Sequence, residues 1–135
     1  MRLDFDEVFQ ITAAEAYDYC KTPKDWLRLF PAFTKVRDRG TGWYTVWIRR
    51  TPIPLVAKIT TSEPDKQVTW DYRGFWKGDG AVQFEETDGG TRITGHEIIT
   101  LPGPLRLIDR RLQPGFAAVW EGGWRRLRRR SAQPQ

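Results

Sequence analysis

The chain predicts an α+β fold: a seven-stranded, curved, antiparallel sheet around a long C-terminal helix, with two short helices between strands 1 and 2. Three observations predict it. Two helix-capping patterns follow the first apolar alternation within a few residues. From Phe33 to Thr100 the hydrophobic period is two, broken at intervals by Gly, Pro and Asp. After Pro104 the spacing becomes helical again and stays so to Leu127.

Each element has its own local reason. Leu3–Ile11 alternates Phe5, Val8, Phe9 and Ile11 with carboxylates, which predicts a strand. Thr12-Ala13-Ala14-Glu15 is a capping box, and Ala13, Ala16, Tyr17 and Cys20 share one face of the helix it opens. Thr22 can cap a second helix with Pro23 at its first position, Trp26, Leu29 and Phe30 on its apolar face and Pro31 at its end. A short strand from Phe33 leads through Gly40-Thr41-Gly42 into Trp43–Arg50, and Pro52 and Pro54 break the next connection. Leu55–Ser62, Val68–Phe75, Ala81–Glu86 and Thr91–Thr100 complete the strands, with hairpin turns predicted at Lys77-Gly78-Asp79-Gly80 and Asp88-Gly89-Gly90. Leu105, Ile108, Leu112, Phe116, Val119, Trp120 and Leu127 form the stripe of the last helix, and Pro114-Gly115 predicts a kink or brief break in it.

Composition limits the function classes. The chain of 135 residues is one domain over residues 1–130, with 131–135 as a loose tail. A single cysteine allows no internal disulfide and fits a reducing compartment, the cytoplasm. No apolar run reaches the roughly 20 residues of a membrane span, and the first residues carry no apolar leader core. The net charge is +5, and Arg125, Arg126, Arg128, Arg129 and Arg130 supply as much by themselves. The rest of the domain is near neutral, so a basic body that wraps nucleic acid is not expected. One His and one Cys make no metal set or nucleophilic triad, and no glycine-rich phosphate loop is present.

Alternation assigns the faces. Val68, Trp70 and Tyr72 share one side, as do Val82 and Phe84, Leu55, Ala57 and Ile59, and Ile93, Gly95, Glu97 and Ile99. One face of the sheet is therefore apolar, and Glu97 is the ionisable residue placed on it. In Trp43–Ile48 both sides carry bulk: Trp43, Thr45 and Trp47 oppose Tyr44, Val46 and Ile48, and the pattern leaves open which side is inward. One helix cannot fill the hollow of such a sheet, so large side chains fill the remainder or a pocket is left.

The order of elements resembles the helix-grip fold of the START/Bet v 1-like (SRPBCC) superfamily, most of all its bacterial polyketide cyclase/dehydrase and lipid-transport branch. The residues that carry the likeness are Phe9-Gln10-Ile11-Thr12-Ala13-Ala14-Glu15-Ala16-Tyr17 and Trp26-Leu27-Arg28-Leu29-Phe30-Pro31-Ala32-Phe33. They continue with Glu63-Pro64, Val68-Thr69-Trp70, Phe84-Glu85-Glu86 and Gly89-Gly90-Thr91-Arg92-Ile93-Thr94, so nearly the whole chain takes part. The resemblance implies a cavity between sheet and last helix for a hydrophobic ligand. Its members include lipid and quinone carriers, hormone receptors, chaperone activators and aromatic polyketide cyclases, so the fold does not choose the function. The cyclases use polar side chains in the cavity, an arginine among them. The plausible matching strand here has Leu55, Ala57 and Ile59, a departure from that pattern.

The expected function is binding or transport of a small hydrophobic molecule such as a lipid, quinone or polyketide-like compound, without catalysis, cofactor or metal. Candidate ligand-binding residues are Trp43, Trp47, Leu55, Ile59, Trp70, Tyr72, Phe84, Glu97, Leu112, Phe116 and Trp120, with Glu97 or Tyr72 as the polar anchor. One alternative is a cyclase or dehydratase in which Glu97 is the catalytic acid or base. Another is an interaction module in which the five arginines touch anionic lipid or RNA, with Trp124 as the stacking platform that RNA would need. A monomer and a homodimer are both compatible with the sequence.

Overall fold

The computed structural model describes residues 1–132, with the side chains of residues 1–130. Strand β1 (Arg2–Phe9) is followed by helices α1 (Ala13–Cys20) and α2 (Pro23–Leu29). Strands β2 (Phe33–Asp38), β3 (Trp43–Ile48), β4 (Leu55–Glu63), β5 (Gln67–Arg73), β6 (Lys77–Thr87) and β7 (Gly90–Thr100) come next. A 3-10 helix over Gly103–Ile108 leads into α3 (Asp109–Ala132). The seven strands form one antiparallel sheet in the order β1-β7-β6-β5-β4-β3-β2. Each hairpin pairs with its neighbour, and β1 closes the order by pairing with the last strand. Among the described residues no helix is long and apolar enough to cross a membrane.

The two short helices form for the reasons their sequences carry. The Thr12 hydroxyl accepts the Glu15 amide at 3.1 Å, and the Thr22 hydroxyl accepts the Asp25 amide at 3.3 Å, so each helix start has one orphan donor satisfied. Pro23 sits in the first turn of α2, where its missing N–H costs nothing. Their buried faces are Ala13, Ala16, Tyr19 and Cys20 on α1 and Trp26 and Leu29 on α2. Tyr19 joins the buried face, and Tyr17 is half-buried against the core beside Phe84.

Three local expectations differ from the structure. Lys77-Gly78-Asp79-Gly80 is not a turn; it opens β6, with Gly78 opposite Tyr72 and Gly80 opposite Trp70. The chain reverses at Gly74-Phe75-Trp76 instead. Gly80 is glycine because a side chain there would lie 2.4 Å from the Trp70 ring. Crowding and turning call for the same residue, so composition alone could not separate them. Helix α3 runs on across Pro114 without the brief break that Pro114-Gly115 allowed. It also includes Ser131 and Ala132 from the expected tail, while 133–135 lie outside the described residues.

The core lies between the concave face of the sheet and the three α-helices. Val46, Ala57, Val68, Val82 and Ile93 are fully buried from the sheet side. Leu29, Trp120, Trp124 and Leu127 meet them from the helices. Trp124 is thus a core residue and not a surface stacking platform: it is 7% exposed, with Phe5, Phe9 and Trp120 at ring-centre distances of 5.3 to 5.5 Å.

The arginines at the end of α3 act mainly as clamps. Arg126 donates to the carbonyls of Leu27 and Arg28 at 3.3 and 3.1 Å, capping the C-terminal end of α2. Arg128 pairs with Glu7 and lies 4.7 Å from the Phe9 ring centre, and Arg130 donates to the Tyr19 hydroxyl at 2.8 Å. A surface of five free arginines is therefore not what the fold presents; Arg125 and Arg129 alone have no such bond among the described residues.

A buried carboxyl in an aromatic cavity

The register of the sheet builds the site. Trp70 on β5 lies opposite Gly80 on β6, and Gly80 lies opposite Glu97 on β7. Because Gly80 has no side chain, the Trp70 indole lies across β6 and reaches a carboxyl two strands away, a span of roughly 10 Å. Its Nε1 donates to Glu97 Oε1 at 3.4 Å and to the Tyr72 hydroxyl at 3.0 Å. Tyr72 Oη donates to the same carboxyl oxygen. From α3, Trp120 Nε1 donates to the other, Oε2. Trp70 and Trp120 are stacked 6.3 Å apart, so both N–H edges converge on one group.

Glu97 is 3% exposed, and burial pushes its carboxyl up to about 7 from an ordinary 4.5. The hydrogen bonds from Tyr72, Trp120 and Trp70 act the other way by favouring the carboxylate, and they do not offset the lost solvation. Tyr72 is pushed well above the usual phenol range, first by burial and then by the neighbouring Glu97 charge. Its hydroxyl therefore stays a proton donor to Glu97 at neutral pH.

Glu97 faces a cavity of about 50 Å³ whose wall is otherwise almost wholly apolar. Leu55, Trp70, Tyr72, Glu97, Phe116 and Trp120, all expected at the site, line it together. Trp26, Leu29, Phe30, Phe33, Ile48, Ile99, Val119 and Cys20 also line it and were not in the expected set. The apolar face of α2 and the inward side of β7 carried the signal for Trp26, Leu29, Phe30 and Ile99, whereas the alternation of β3 left the side of Ile48 open. Cys20 is the small apolar group its helix face suggests, with burial pushing its thiol up to about 12. Trp26 has its own N–H satisfied by the Cys20 carbonyl at 2.9 Å and contributes only ring surface.

Five expected residues stand elsewhere. Trp43 and Trp47 lie on the outer face of the sheet, because Val46 and Ile48 take the inner one. There they are half-buried beneath cations: Arg73 is 4.1 Å and Lys58 5.8 Å from the Trp43 ring centre, and Lys35 is 5.1 Å from that of Trp47. Phe84 packs under α1, edge-on to Tyr17 at 6.4 Å. Ile59 keeps the inward alternation from Leu55, opposite Trp70 and packed partly buried against the core, but it stands off the cavity wall, and the β4–β5 register shifts just after it. Leu112 is half-buried on α3, ahead of the turn that meets the cavity.

A Gly80→Ala variant tests this construction. Its Cβ would enter the space of the Trp70 ring, so the indole must leave Glu97 or the strands must part. The expected loss is about 2–3 kcal/mol in chemical denaturation, with a changed near-ultraviolet tryptophan signal. Wild-type stability and an unaltered signal would show that Trp70 is not held across β6.

Solved structures share this architecture. A conserved protein from Geobacillus kaustophilus superposes with a TM-score of 0.77 at 12% identity, covering 98% of this chain and 95% of that one. XoxI from Bacillus cereus gives 0.76 at 7% identity, covering 96% and 94%. The di-domain ARO/CYC StfQ from the steffimycin biosynthetic pathway gives 0.71 at 13% identity, covering 96% of this chain and 50% of that one. Identities this low show a common fold and nothing finer. No curated protein matches the chain in sequence. The family model for polyketide cyclase/dehydrase and lipid transport matches residues 3–132, and with the sheet wrapped on α3 it identifies the chain as a member of that family.

Proposed function

We propose that the chain binds a small hydrophobic molecule between the sheet and α3, with Glu97 as its polar anchor. The observation that carries this reading is a buried carboxyl on the wall of an otherwise apolar cavity. Burying a carboxyl costs free energy, and a core needing only density would hold an apolar residue there. Oε2 accepts one bond, from Trp120, which leaves it a lone pair or a proton to offer a ligand. The lipid-transport part of the family's description supports the same reading.

The cavity also says what binding requires. About 50 Å³ holds a few water molecules, whereas drug-sized ligands occupy pockets of roughly 300 Å³ or more. A quinone, polyketide or lipid chain would therefore displace side chains. Ile48 on β3 and Phe116 and Val119 on α3 are the lining residues that are only half-buried.

A second reading has its own observation. A carboxyl near 7 can hold and return a proton at neutral pH, as a cyclase or dehydratase would need. One structural neighbour is an ARO/CYC protein. The aliphatic Leu55, Ala57 and Ile59 supply no polar partner on β4, which keeps non-catalytic binding first.

Organic extraction of the purified protein, with mass spectrometry of the extract, tests the first reading. The expected result is a stoichiometric apolar molecule whose return quenches tryptophan fluorescence. Glu97→Gln is expected to weaken its binding about ten-fold. Unchanged affinity would remove Glu97 as the anchor, and binding kept with turnover lost would favour the acid–base reading. An empty extract and no fluorescence response to lipids, quinones or polyketides would sink the binding reading.

A further inference from the structure

The pairings Val56 with Arg73, Tyr72 with Gly78 and Lys77 with Thr100 bring three connections to one end of the sheet. They are the β3–β4 loop, the β5–β6 loop and the 3-10 helix that precedes α3. Large aliphatic side chains stand in water there: Leu107 is 88% exposed, Leu105 38%, and Ile108 and Ile53 37% each. Trp76 ties two of the connections by donating to the Ile53 carbonyl at 2.9 Å.

Cations surround this apolar tip. Arg106, Arg110 and Arg111 flank the aliphatic residues in sequence, and none has an ion pair among the described residues. Arg50 and Lys77 stand exposed at the ends of the neighbouring loops. Asp109, the carboxylate within the segment, is already engaged by the Met1 ammonium at 3.2 Å.

We propose that this end of the molecule docks on an anionic lipid bilayer, with Leu105, Leu107 and Ile108 in the headgroup layer and the arginines on lipid phosphates. Exposed aliphatic groups ringed by basic ones fit an interface that is apolar below and negative above. Nucleic acid would call for open aromatic faces to stack on, whereas the most exposed side chains of the tip are aliphatic and its aromatics, Phe75 and Trp76, pack on each other. A second copy would set these same arginines against each other, with Asp109 not free to neutralise them. The segment runs directly into α3, where Phe116 lines the cavity two turns later. Docking depends on this surface and not on what the cavity holds.

Sedimentation of the full chain with phosphatidylcholine vesicles, with and without phosphatidylglycerol, is the test. Binding to the mixed vesicles is expected, falling about five-fold for each of Arg106→Gln, Arg110→Gln and Arg111→Gln. Leu107→Asp is expected to lose about ten-fold or more with an unchanged melting temperature, since the side chain touches little. Arg125→Gln with Arg129→Gln, at the far end of α3, is expected to bind as wild type does. The proposal is overturned if mixed vesicles bind no better than pure phosphatidylcholine, if Leu107→Asp binds undiminished, or if the Arg125 and Arg129 pair loses as much. Self-association abolished by Leu107→Asp, without vesicle binding, would give the patch to a second copy and overturn it equally.

Discussion

Trp120→Ala is expected to lose about 4 kcal/mol of stability, the largest effect of any single change considered. The side chain is 4% exposed and stands where helix meets sheet. Its ring contacts Phe5 at 4.6 Å, Phe30 at 4.9 Å and Trp124 at 5.3 Å, so truncation opens a void bounded by three elements. It also removes a donor from Glu97, leaving a buried carboxyl with less compensation. The void would adjoin the existing cavity and border the Glu97 carboxyl, so an indole, with a ring to fill it and an N–H to offer that carboxyl, fits it. Added indole is therefore expected to recover part of the lost stability in urea unfolding. A loss under about 1 kcal/mol would show that α3 is not held through this residue. Trp120→Phe separates packing from hydrogen bonding: it keeps most of the ring contact, and loss of the donor is expected to raise the Glu97 pKa further.

Relative to Glu97→Gln, the wild-type protein is expected to lose about 3 kcal/mol of stability between about pH 4.5 and roughly pH 8. The sign follows from where the proton sits. In the folded protein the carboxyl is held up to about 7, against an ordinary 4.5. Between those values the folded state keeps a proton that the unfolded state has released, so rising pH favours unfolding. Below 4.5 both states are protonated and the penalty is absent; above 7 both are ionised and the penalty is complete. Glutamine does not titrate, so its difference from wild type isolates this one group. The comparison also removes the opposing trend of Asp4, Asp6 and Asp18, whose basic neighbours Arg2, Arg92 and Lys21 hold them below the usual carboxylate range. Paired denaturation curves at several pH values measure it. A difference flat across that range would mean that Glu97 is solvated in the folded protein.

Much of this molecule could be read from local pattern. The capping threonines, Pro23, the succession of strands along the chain and the inward set Val68, Trp70 and Tyr72 depend on neighbours one to four residues away, and such short-range rules hold wherever the chain packs. Glu97 was legible for the same reason: alternation put it on the inner face, and burial followed from that face.

Other features depend on residues far apart in the chain. Trp43 and Trp47 carry as much apolar surface as Val46 and Ile48, and Lys35, Lys58 and Arg73 arriving from three other strands give the tryptophans an outer place. Gly80 looks like a turn until Trp70 is laid across it. The arginines of α3 look free until Glu7, Tyr19 and the end of α2 come within reach. The hollow beneath the helix could have been a large pocket, but Trp26, Phe30, Phe33 and Trp120 close it to about 50 Å³. Sequence by itself determined the elements, their order and the inward carboxyl, because backbone sterics and side-chain period act locally. Tertiary structure alone decided the cavity's size, the donors on Glu97 and the fate of the surface aromatics and arginines, because each is a contact between groups that the chain separates and only packing brings together.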